Sequence, residues 1–286
     1  MPSPCTLMRF WIMIEDTVTE NPVKAIDHLL TFVRDLDEAA RFYDRLGFTL
    51  TPESRIDAMG IVNRLILFPD ASEGSANFIE LMSVFDTDRL PPAMAALLSG
   101  DEGIKSMVLS LGDVEGARAH FVELGCPFGP PMHVRREWKL SATESVWPEF
   151  DVLLPVDDVV TFNGCRYYNV ELYRLPAWTT HRNGARAFDR VDCAAADPQT
   201  AASRLANVLG TTATGGTVAH RDMTIDIRRD GAAATWPIRI AGYRVTGLNE
   251  NYLAQALSTH RDIGQVNQVT AFGQTIELSS QAPRAS

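Results

Sequence analysis

The sequence predicts an α+β fold assembled from repeats of one unit: a strand, a helix and three further strands. Three observations carry that prediction. Residues Ala25 to Met82 run through an apolar, β-rich stretch (AIDHLLTFV), an amphipathic helix (LDEAARFYDRLG), two middle strands and a closing strand (FIELM). Sliding the chain by 78 positions lays Asp35 on Asp113, Asp37 on Glu115, Ala39 on Ala117, Tyr43 on Phe121, Leu46 on Leu124 and Gly47 on Gly125 without a gap. Two fainter copies follow, from Phe188 to about Arg229 and from Ile238 onward. Repeating one supersecondary unit buries faces that a single copy leaves exposed.

Each element of the first unit has its own warrant. Period two places His28, Leu30 and Phe32 on one face of an expected strand over Ile26 to Val33. Asp35 is the expected N-cap, and Ala39, Tyr43 and Leu46 fall on one helical side while Arg41, Asp44 and Arg45 face solvent. Gly47 stands where a left-handed residue would end the helix. Phe48 to Thr51, Ile61 to Phe68 and Phe78 to Met82 are the next strands, the last with Phe78, Glu80 and Met82 pointing one way. In the second unit Ile104 to Leu111 is a strand, and Tyr168 to Tyr173 (YNVELY) is read as its closing strand by analogy with FIELM.

Bulk properties exclude several classes. With 286 residues, 45% of them hydrophobic, the chain can bury a large core, and 22% charged residues of both signs argue against extended disorder. A formal net charge of −10 disfavours nucleic-acid and anionic-membrane partners. Four cysteines without CxxC spacing (Cys5, Cys126, Cys165, Cys193) fit reduced, buried thiols in a cytoplasmic protein. The apolar run Leu7 to Ile14 is short, contains Arg9 and lacks a cleavage site, so a signal peptide is not expected, and no stretch is long enough to span a membrane. No GxSxG, Walker loop, GxGxxG after a strand or HExxH is present.

Four units of this kind, the stretch IDHLLTFVRDLDEAARFYDRLGF, the late-strand FIEL and the linker HRNGA resemble the vicinal oxygen chelate superfamily, more narrowly its glyoxalase-like domain proteins. The resemblance implies two half-barrels, each made of two paired units around a divalent metal. It implies the following domains: an N-terminal tail over 1–24, a first glyoxalase-like domain over 25–176, a linker over 177–185, a second and structural domain over 186–280, and a C-terminal tail over 281–286.

Carried over position by position, the resemblance makes His28, Glu80 and Glu171 the metal ligands, for Zn, Mn, Fe, Co or Ni, with Glu80 and Glu171 also the catalytic carboxylates. Ser106 stands at the first-strand position of unit two and Arg190 at that of unit three. Without histidines in the C-terminal pair, an extradiol dioxygenase is less expected. Arg64 and Asn63 on a strand lining the barrel, and Trp138 and Tyr168 in the second unit, are the expected substrate-binding residues, and His181 is expected to tie the linker by a hydrogen bond. Two functions stay open. One is a metal-dependent lyase or isomerase acting on a small oxygenated metabolite; the other is a metal-free binding or sequestering protein of the bleomycin-resistance type. A small molecule is the expected partner, and a homodimer is left open.

Overall fold

A computed structural model of the chain describes residues 21–156, 160–259, 264–265 and 267–282. Most of the expected N-terminal tail, with Leu7 to Ile14, and the last four residues of the C-terminal tail lie outside the described residues.

The first unit comprises β1 (Val23–Phe32), α1 (Leu36–Arg45), β2 (Ser54–Ile56), β3 (Ile61–Leu67) and β4 (Phe78–Val84). The Asp35 side chain caps α1 by accepting from the Glu38 N–H at 2.8 Å, and Gly47 adopts φ +87° just past its end. Leu36, Ala39, Phe42 and Tyr43 form its buried face. Phe48 to Thr51 is not a strand. Thr51 makes one strand-like contact, exchanging bonds with Leu65, and Pro52 then supplies no donor to extend the ladder.

A short helix, α2 (Pro92–Leu97), leads to the second unit: β5 (Gly103–Leu111), α3 (Val114–Glu123), β6 (Met132–Arg135), the small hairpin β7 (Trp138–Lys139) and β8 (Ser145–Val146), β9 (Glu149–Leu153) and β10 (Phe162–Tyr167). The closing strand is therefore β10, and the expected strand at 168–173 is a 3-10 helix over Val170–Arg174. Phe162 to Cys165 pair with β5 on one side, and Gly164 to Tyr167 with β9 on the other. Asn169 then turns the chain off the sheet, accepting from the Glu149 N–H and donating to the Trp147 carbonyl.

These strands make one eight-stranded sheet in the order β2-β3-β4-β1-β5-β10-β9-β6. Its centre has a local two-fold symmetry. His28 stands opposite Val108 and Leu30 opposite Ser106, two pairs that interchange under the 78-residue offset. Curled about that axis, the sheet forms a half-barrel.

After α4 (Pro176–Thr179) the plan repeats with β11 (Ala187–Ala195), α5 (Pro198–Leu209), β12 (Ala213–Thr214), β13 (Thr217–His220), β14 (Met223–Arg229), β15 (Arg239–Thr246), α6 (Glu250–Thr259), β16 (Gly264–Gln265), β17 (Gln268–Ala271) and β18 (Gln274–Leu278). The second sheet has the matching order β12-β13-β14-β11-β15-β18-β17-β16. One apolar core is continuous across both sheets, running from Val23 and Phe42 to Tyr243 and Ile276. Polar groups inside it pair with one another: the Tyr43 and Tyr243 hydroxyls lie 3.0 Å apart, and the Asn77 carboxamide bonds both the N–H and the carbonyl of Phe188. Gly273 (φ +67°) makes a close approach between the two halves, where an added Cβ would meet the Glu102 carbonyl at 2.1 Å.

Cys126, Cys165 and Cys193 are buried and free. Among the described residues no helix is long and apolar enough to cross a membrane.

Candidate functional site

The concave face of the first sheet holds a cavity whose polar residues form a band between two apolar walls. One wall comprises Leu30, Ile61, Met82, Met94, Val108 and Leu154, with Met59 and Met132 beside them. The other is aromatic: the His28 ring stacks on Phe78 at 4.0 Å, and Phe78 stacks on Tyr173 at 5.7 Å. The band comprises His28 (β1), Asn63 (β3), Glu80 (β4), Arg136 just past β6, Asn163 and Tyr167 (β10).

A bulge in β1 organises the band. Ile26 faces Leu109 and His28 faces Val108, so Asp27 is the extra residue, and the bulge brings its carboxylate beside the His28 ring. Asp27 is fully buried and takes four donors: His28 Nδ1 at 2.7 Å and the Tyr167 hydroxyl at 2.7 Å on Oδ1, then the Ser75 hydroxyl and the Ala76 N–H at 2.8 Å each on Oδ2. His28 Nδ1–H is thereby committed, and Nε2 turns to Glu80, 3.6 Å from its Oε2. Glu80 Oε1 accepts from Asn63 Nδ2 at 2.5 Å, and Asn63 Oδ1 accepts from Arg136 Nη1 at 3.2 Å. A continuous chain of polar contacts thus runs from Arg136 to Asp27.

Burial alone would lower the His28 pKa, but its bonds to the two carboxylates outweigh that and raise it. Burial alone would raise Glu80, yet His28, the Arg136 charge and Asn63 hold it below the usual carboxylate value. Both shifts favour the charged forms, an imidazolium beside a carboxylate.

The expected site residues divide sharply. His28, Glu80 and Asn63 meet in the cavity. Glu171 does not: it is exposed on the 3-10 helix that follows β10. The residue in the register of Glu80 is Asn163, since Leu30 pairs with Glu80 and its counterpart Val108 pairs with Asn163. Arg64 points away from the cavity, its Nη1 3.5 Å from the Thr51 carbonyl and Nη2 3.9 Å from Asp37. Trp138 is buried against Trp178, ring centres 4.6 Å apart, and Tyr168 is 51% exposed with its hydroxyl on Asp151. Asp27, Arg136, Asn163 and Tyr167 were not expected. The Asp-before-ligand-position pattern was visible in AIDH and AFDR alike, whereas Asn163 needed the strand register.

The donors do not fit a tightly held divalent ion. The four symmetry-related positions carry His28, Glu80, Ser106 and Asn163, one imidazole and one carboxylate instead of the three strong ligands expected. Ser106 donates its hydroxyl to the Asn163 carbonyl oxygen, which leaves Asn163 offering chiefly N–H donors. Asp27, His28 and Cys165 do bring ligand-type atoms within 4.8 Å of one another. But both Asp27 oxygens are filled, His28 Nδ1 is engaged, and burial pushes the Cys165 thiol well above its ordinary pKa.

The same positions in the second sheet make the contrast plain. Registers put Arg190, Asp226, Gly242 and Glu277 there. The Arg190 guanidinium reaches Asp192 at 3.0 Å, Glu277 at 2.5 Å and Asp226 at 3.9 Å, so a side-chain cation fills that centre. The bulge recurs too, with Asp189 taking a bidentate bond from Arg244 at 2.8 Å.

His181 supplies the expected tie at the linker: its Nδ1 accepts from the Thr49 N–H at 3.0 Å, and its Nε2–H donates to the Leu67 carbonyl at 2.9 Å.

Comparison with known proteins agrees with this architecture. No curated protein sequence matches the chain. A hypothetical protein from Staphylococcus aureus superposes with a TM-score of 0.60 at 11% identity, covering 88% of this chain and 97% of its own. An extradiol ring-cleaving dioxygenase from B. fuscum gives 0.53 at 14% identity, covering 91% and 73%. A methylmalonyl-CoA epimerase of Streptomyces coelicolor aligns over 50% of this chain and 96% of its own at 20% identity, with a TM-score of 0.37, too low to bear on the argument. Residues 26–209 match the family model described as a glyoxalase-like domain. The chain therefore belongs to the glyoxalase-like domain family, within the vicinal oxygen chelate superfamily.

Proposed function

We propose that the first half-barrel binds a small, largely apolar oxygenated molecule and moves a proton on it, as a lyase or isomerase does, through Glu80 and His28 without a resident metal. The observation that supports this reading most is the His28–Glu80 pair, buried, 3.6 Å apart and set between apolar walls. A carboxylate kept ionised in a dry cavity can take a proton from carbon beside a carbonyl group. The adjacent imidazolium can give its Nε2 proton to the carbonyl oxygen as negative charge develops there. The products of that step are a neutral enol, a protonated Glu80 and a neutral His28. Delivery of the Glu80 proton to the other face or the neighbouring carbon, with return of the enol O–H proton to His28, completes an isomerisation. In an elimination the O–H proton returns to His28 as the group on the β-carbon leaves with its bonding electrons and takes the Glu80 proton. Asp27 keeps the imidazole oriented throughout.

A second reading, metal-free sequestration, draws on the flexible thioethers of Met59, Met82, Met94 and Met132, which adapt to varied apolar shapes. Deuterium exchange separates the two. Incubated in D2O with a panel of apolar-tailed α-hydroxy ketones, the protein should label the carbon next to the carbonyl, and Glu80→Gln should slow labelling by about 100-fold or more. Binding without any labelling by the wild type would favour sequestration.

A further inference from the structure

Resting on the pocket reading above, we infer that the ligand's polar head is an anion, specifically the carboxylate of a monocarboxylic acid whose apolar tail lies on the methionine wall, and that Arg136 is the residue that selects it.

Arg136 is held entirely by neutral groups. Its Nη1 donates to the Ser54 hydroxyl at 2.7 Å and the Asn63 carboxamide at 3.2 Å, and the Tyr173 hydroxyl lies against the same guanidinium. Its Nε–H is buried with no partner. Among the described residues no carboxylate forms a direct ion pair with it, whereas Arg190, at the centre of the second sheet, has three carboxylates about it. A buried donor left unpaired is costly, and a guanidinium presents parallel N–H groups that match a carboxylate. Asn163 adds to the preference. Its oxygen is taken by Ser106, so it too offers donors to the cavity. A head group rich in acceptors suits both residues; an amine or ammonium suits neither.

Position supports the same assignment. A single carboxamide, Asn63, separates Arg136 from Glu80. A carboxylate gripped by Arg136 would therefore set the carbons next to it toward Glu80 and His28, while Asn63 keeps the ligand's charge away from that of Glu80.

The test compares three probes of one shape, octanoate, octanamide and octan-1-ol, by titration calorimetry at neutral pH. The expected result is octanoate binding at least tenfold more tightly than the other two, with the preference lost in Arg136→Gln and partly kept in Arg136→Lys. Circular dichroism and a melt on both variants check that they fold; Arg136→Lys, which keeps the charge, serves if Arg136→Gln does not. Equal binding of the three probes overturns the anion assignment and leaves the pocket reading intact. An octanoate preference that survives in folded Arg136→Gln, or that is lost completely in Arg136→Lys if only that variant folds, moves selection away from the Arg136 charge and overturns it as well. Failure of all three to bind the wild type overturns both.

Discussion

Asp27 separates two roles that His28 could have. If Asp27 orients and charges the ring, Asp27→Asn should lower the His28 pKa, because one of the two carboxylates that raise it is gone. The raised pKa means that His28 contributes stability in full below its unfolded value of about 6.5 and loses it as pH rises through the folded value. In Asp27→Asn that loss should move to lower pH. The variant should also be less stable by about 3 kcal/mol, since an amide cannot satisfy all four donors now on the carboxylate. NMR titration of the His28 ring reads the shift directly. An unchanged ring pKa would mean that Asp27 is only a packing partner.

At the scale of elements, the segment 177–185 is a half-buried strap and not a loose tether, with Trp178, Thr179, His181, Asn183 and Ala185 buried. Besides the two bonds of His181, Asn183 donates to the Leu46 carbonyl at 3.0 Å, and Arg182 bonds Asp44 at 2.6 Å. Burial lowers the His181 pKa to about 4, so the folded protein keeps the ring neutral. Below about pH 6.5 the unfolded chain takes up a proton that the folded one refuses, and stability falls until about pH 4, by roughly 3 kcal/mol in all. His181→Ala should be less stable at pH 7, yet should lose less stability than the wild type between pH 6.5 and 4 in urea melts. Equal losses over that window would show that His181 is not the group responsible.

The elements legible in the sequence were those set by local chemistry. The Asp35 cap, the α1 apolar face and Gly47 specify one helix without reference to the rest of the chain. Of the site, His28, Glu80 and Asn63 were legible because period two puts them on the inner face of their strands. What was not legible depended on register. Both FNGCRY and YNVELY could close the second unit on composition, and only pairing with β5 and β9 selects the first. That choice replaces Glu171 by Asn163. Arg136 reaches the cavity from just past β6, a strand that no motif marks, and Asp27 reaches it through a bulge.

At the scale of the molecule, two sheets of the same plan have resolved one symmetric centre in different ways. The second sheet occupies it with the Arg190 guanidinium among Asp192, Asp226 and Glu277, facing a largely polar cavity. The first sets His28 against Glu80, facing an apolar cavity. In both, the positive charge set against the carboxylates comes from a side chain, so proton transfer falls to the protein's own groups. Elemental analysis of the purified protein, paired with deuterium exchange before and after a strong chelator, tests this most directly. Metal well below one ion per chain and exchange that the chelator leaves unchanged are expected; one tightly held ion per chain, whose removal stops exchange and whose return restores it, would overturn metal-free proton transfer.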